Sequence, residues 1–164
     1  MSGAMRSGLI FAAVGLVAVL VTAFLPPPAP VACGPLLAVL VGGLAGFFGV
    51  RWSVEQARVG RGVLAGTLAG VGLLLGAVIA YTLLVGMVRN TPMFREQLQE
   101  ALSRQPNAQI DPAALDTIIG IVGPAVGFCF GILNLLIALA FGALGGWLAL
   151  RNRPQPAPPP EPLS

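Results

Sequence analysis

The chain contains no histidine and no lysine, one tyrosine and two cysteines. Those shortages remove the side chains that most often serve as general acid, general base and metal ligand. Its six acidic residues all fall in predicted loops or the tail, whereas the spans of proton-coupled pumps generally hold ionisable groups. An enzyme, a metal site, a cofactor and a nucleic-acid partner are therefore not expected, and no residue is nominated as catalytic. Charge is scarce altogether: 9% of residues are charged and 56% are hydrophobic, against about 25% charged in ordinary soluble domains.

With so little to present to water, the chain reads as an integral membrane protein. Crossing about 30 Å of hydrocarbon takes about 20 apolar residues, and stretches 8–25, 31–50, 62–88 and 124–150 qualify. The fold class follows as all-α: a polytopic bundle of four transmembrane helices in two hairpins, with a short helical extracytoplasmic loop at 89–123. The last apolar run begins at Ile118, but Pro124 lacks a backbone donor and crowds the preceding turn. Residues 118–123 are accordingly predicted to form a separate turn above the bilayer.

Arginine sets the orientation. Arg6, Arg51, Arg58, Arg61, Arg151 and Arg153 fall on one side, and Arg89, Arg95 and Arg104 on the other. Six against three predicts both termini in the cytoplasm and a multi-pass inner or plasma membrane protein. A cleaved leader is the competing reading, because an apolar run follows Arg6 and "PVAC" precedes the second span. Against it, Pro30 stands where a large aliphatic residue is expected, and cleavage would leave Cys33 directly against that span.

The two halves share an outline. Each second span opens on Gly-Pro (Gly34-Pro35 and Gly123-Pro124) and closes on glycines and aromatics before arginine, as "GGLAGFFGVRW" and "FGALGGWLALR". A duplicated hairpin explains this, and so does the common habit of spans to carry helix-start prolines and interfacial aromatics. In the loop, Thr91-Pro92 and Asp111-Pro112 each suit a helix start. The two helices they open would lie on the outer membrane surface or cap the bundle. Residues 1–153 thus form one membrane domain, and the proline-rich stretch 154–164 is read as a disordered cytoplasmic tail.

The most regular pattern is glycine. "GRGVLAGTLAGVG" places Gly62, Gly66 and Gly70 four apart, with Ala69 and Gly72 nearby. In water each would cost about 1 kcal/mol relative to alanine. Inside lipid, where helix association relies on close van der Waals contact, such a stripe is a groove for another backbone. Gly42 and Gly46 offer the same spacing on the second span, and Gly127 and Gly131 on the fourth. Whether these grooves close the bundle or grip a partner is open at this level.

Few polar residues fall at membrane depth. Asn134 stands out because its amide is costly in hydrocarbon unless bonded, and Thr67 and Thr82 are less demanding. Cys33 and Cys129 make no motif, and two buried free thiols are the simpler reading. Trp52 and Trp147, beside Arg51 and Arg151, fit interfacial anchors at the cytoplasmic boundary.

With "CGPLLAVLVGGLAGFFGVRW", "ARVGRGVLAGTLAGVGLLLG" and "TPMFREQLQEAL", the chain resembles small glycine-rich four-span prokaryotic membrane proteins of unknown function over roughly residues 33–151. The resemblance implies no catalytic or binding residue. The expected function is that of a non-enzymatic membrane protein, a packing scaffold or accessory subunit associating through glycine faces. Its partners would be the bilayer and either copies of itself or a larger membrane complex. The alternative is a small oligomeric transporter or channel, with Asn134 and Thr82 lining the path.

Overall fold

The computed structural model describes residues 3–25, 29–53, 58–89, 91–103 and 112–152, and the regular structure within them is entirely helical. Arg153 and the tail at 154–164 lie outside the described residues. The helices are α1 (Gly3–Ala23), α2 (Ala29–Arg51), α3 (Val59–Val88), α4 (Pro92–Ser103) and α5 (Pro112–Arg151). All except α4 are long and apolar enough to cross a bilayer. The chain is a multi-pass, all-α membrane protein with a four-helix bundle.

Helix boundaries depart from the sequence reading at both prolines. Pro124 does not end a turn: it sits inside α5, a single helix of 40 residues that joins the predicted loop helix from Pro112 to the fourth span. Pro35 likewise lies inside α2, which starts at Ala29 rather than at Gly34-Pro35. A proline deletes one backbone hydrogen bond and crowds the carbonyl four residues back. Breaking the helix would give up several backbone hydrogen bonds at once, a larger loss than the one that the proline removes. For Pro124 the carbonyl four residues back is that of Gly120, a residue with no side chain to add to the crowding. Thr91 also acts differently from expectation. α4 does start at Pro92, but the Thr91 hydroxyl donates to the Val88 carbonyl at 2.7 Å and closes the end of α3.

The topology is up-down-up-down. α1 packs on α2 and α3, α5 packs on the same two helices, and α3 with α5 makes the most extensive pair. The order of contacts fixes direction: Gly62, Gly70 and Gly127 of α3 and α5 meet residues 142–146, 135 and 77–78, so these helices are antiparallel. Gly42 and Gly46 of α2 meet Ala138 and Gly142, so α2 and α5 run parallel. Among the described residues α4 shares no extensive surface with the four long helices.

Residue sizes are distributed opposite to those of a soluble bundle. The interior is alanine and glycine, with Ala38, Ala45, Ala65, Ala69, Ala77 and Ala138 buried, and Leu73 is the largest fully buried side chain. Leucine, isoleucine and valine cover the outside, as lipid permits. Small interior residues bring backbones together, which replaces the hydrophobic drive that lipid does not supply.

Candidate functional site

All seven glycines singled out in the sequence face another helix of this chain. A Cβ on Gly62 would stand 2.8 Å from the Gly142 carbonyl oxygen, and one on Gly66 would stand 2.8 Å from the Gly142 Cα. Gly70 abuts Leu135, Gly131 abuts Leu74, and Gly127 abuts Ala77 and Val78. Gly42 and Gly46 press on the Ala138 and Gly142 backbones. These faces are occupied inside the bundle.

The sequence reading missed one side of the contact at Gly62 and Gly66. Gly142 and Gly146, the α5 side of the α3 contact, are also four apart and were legible by the same rule. Gly72 and Gly76 form a second face of α3, turned toward Ala12 and Leu16 of α1. Gly72 therefore does not extend the stripe at Gly62, Gly66 and Gly70; two residues further along a helix is about 200° around it. Ser7 was missed as well. It is buried, and its hydroxyl donates to the Ala45 carbonyl at 2.9 Å, tying α1 to α2.

Thr67 and Thr82 turn their hydroxyls back on their own helix, to Val63 at 2.9 Å and Val78 at 2.7 Å. Thr82 is exposed and does not join Asn134, so the two do not line one path. What gathers near Asn134 is different. A cleft of about 200 Å³ is bordered by Thr22, Gly34, Tyr81, Phe130 and Asn134, with contributions from all four long helices. The Tyr81 and Phe130 rings stack at 5.6 Å, and Gly34 leaves room for the Asn134 amide, which stands 3.5 Å from where a Cβ would be.

The opposite end of the bundle carries arginine and aromatic rings. Arg151 lies over the Trp147 ring at 5.6 Å, Arg51 over Phe47 at 6.0 Å, and Phe48 meets Trp52 at 5.5 Å. Both tryptophans are exposed. Cys33 is half-buried and Cys129 exposed, and the two are not bridged; the expected burial of both thiols does not hold.

The fold and these contacts define a polytopic helical membrane protein with no cluster of metal-ligating side chains among the described residues. No family model, curated protein or solved structure matches the chain.

Proposed function

We propose that this chain is a non-enzymatic accessory or scaffold subunit of a membrane complex, seated in a cell membrane with both termini in the cytoplasm. One observation carries the reading: α5 rises past the α1–α2 turn as an apolar arm, while α3 ends level with that turn, where Phe24 and Met87 border one small pocket. α1 has 21 residues and α2 has 23, lengths of about 32 and 35 Å that match the hydrocarbon. α5, with 40 residues, is about 60 Å long. A tilt of even 40° leaves about 46 Å along the membrane normal, so tilt does not absorb the excess.

Counting about 20 residues from Trp147 puts the far edge of the hydrocarbon near Gly127. Beyond that level on α5, Ile118, Ile121 and Val122 are exposed, Ile121 by 62%. A methyl group on Gly120 would meet no described residue within 4 Å outside its own helix backbone. Apolar side chains and an open glycine above the membrane are what a partner subunit would cover. The arginines support the orientation, since Arg6, Arg51, Arg61 and Arg151 share the opposite end of the bundle.

The test is native mass spectrometry of the tagged full chain, gently extracted from its own host's membranes. A reproducible hetero-complex is expected, and Ile118→Glu with Ile121→Glu should release the partner while leaving the helical melt intact. Recovery of a homo-oligomer alone would refute the accessory role and bring forward the transporter reading.

A further inference from the structure

Asn134 is 5% exposed, and no hydrogen bond joins its carboxamide to any described residue. Its side chain instead borders the cleft between the four long helices. An amide carries two donors and an acceptor oxygen, and leaving them unpaired at membrane depth is costly. No side-chain nitrogen or oxygen among the described residues is both fully buried and unpaired, so the amide is reachable from the cleft, and a polar group entering there can bond it.

The walls say what kind of molecule that is. Val19, Ala23, Ala80 and Phe130 are apolar, and among the described residues no arginine or acidic residue lines the cleft, so an ion or charged headgroup would find no counter-charge there. The Thr22 hydroxyl donates to the Val19 carbonyl at 3.0 Å, and its oxygen can still accept a hydrogen bond. The volume of about 200 Å³ is below the about 300–1,000 Å³ of pockets that enclose a drug-sized ligand. The occupant therefore places one end inside and leaves the rest outside. A shallow apolar groove along α1, lined by Ala13, Val17 and Val21, meets the cleft at Thr22.

We propose that this cleft binds a neutral, mainly hydrocarbon molecule bearing a carbonyl or hydroxyl group. The polar group bonds the Asn134 amide, and the chain leaves past Thr22 to lie along α1. A diacylglycerol and a prenylated quinone share this chemistry. The site is independent of any partner on the α5 arm.

The experiment uses the full-length protein in phosphatidylcholine nanodiscs, labelled with a diazirine-bearing monoacylglycerol and mapped by mass spectrometry. Adducts are expected within residues 13–22, 77–84 and 130–134. Diacylglycerol or a prenylated benzoquinone should displace them at about tenfold lower concentration than an alkane of equal chain length, and the better competitor identifies the source. Asn134→Leu should abolish that preference while the helical melt is retained. If that variant does not fold, the wild-type competition decides alone. Equal displacement by the alkane, or adducts scattered over the exposed faces of α2 and α5 without displacement, overturns the proposal.

Discussion

Adding a single methyl group at Gly142 tests the packing most directly. Its Cβ would fall 2.7 Å from the Gly66 Cα and 3.0 Å from the Gly62 carbonyl oxygen, both backbone atoms that cannot rotate away. Carbon atoms in contact sit about 3.5–4.0 Å apart, so Gly142→Ala must separate α3 and α5 by about 1 Å at that level. A gap of 0.5–1 Å forfeits about a quarter to a half of each dispersion contact. Overpacking of this kind costs about 1–3 kcal/mol. Gly86→Ala adds the same methyl where no described residue lies within 4 Å outside its own helix backbone, and should be neutral or stabilise by up to about 1 kcal/mol. Unfolding in mixed micelles of rising dodecyl sulfate content measures both, by circular dichroism and by the fluorescence of Trp147, one residue beyond Gly146 in the same contact. The double variant Gly66→Ala with Gly142→Ala should lose less than the sum of the singles, by about 0.5–3 kcal/mol, because the first methyl has already parted the helices. Equal effects at Gly86 and Gly142, or strict additivity of the pair, would refute the argument.

Ser7→Ala deletes the hydroxyl that donates to the Ala45 carbonyl; the same unfolding assay should show a loss of about 0.6 kcal/mol, the mean for hydrogen bonds between membrane helices. Pro124→Ala restores a donor for the Gly120 carbonyl within a helix that is already continuous, so stability should hold or rise. A marked loss there would mean that the proline shapes α5 in a way its unbroken helix does not reveal.

The four spans were legible because charge and apolar length are properties of the sequence alone: Arg51, Arg61, Arg89 and Arg151 bracket the long helices where the apolar runs stop. The break predicted at Pro124 was not, since a proline removes one backbone hydrogen bond whereas ending the helix there gives up several. Glycine spacing located the close faces but not their partners. Gly62 and Gly72 look alike in sequence, yet one meets α5 and the other α1, because their angular separation matters only once neighbours exist. Asn134 was legible as an oddity, and its company was not: Tyr81 and Thr22 come from helices whose relative heights no local pattern encodes. Thr82 was the wrong companion by one residue, a rotation of about 100°.

The backbone-to-backbone contacts also bear on how such a chain can change over generations. At Gly46, Gly66, Gly72 and Gly142 there is no side chain to exchange for another, and every replacement adds atoms against a neighbouring main chain. Drift is thereby pushed to the lipid face, where Leu, Ile and Val trade freely, and to the cleft, where one substitution can alter what fits. A descendant that acquired a new ligand would change at Thr22, Tyr81 or Asn134 long before it changed the glycines that hold those positions in place.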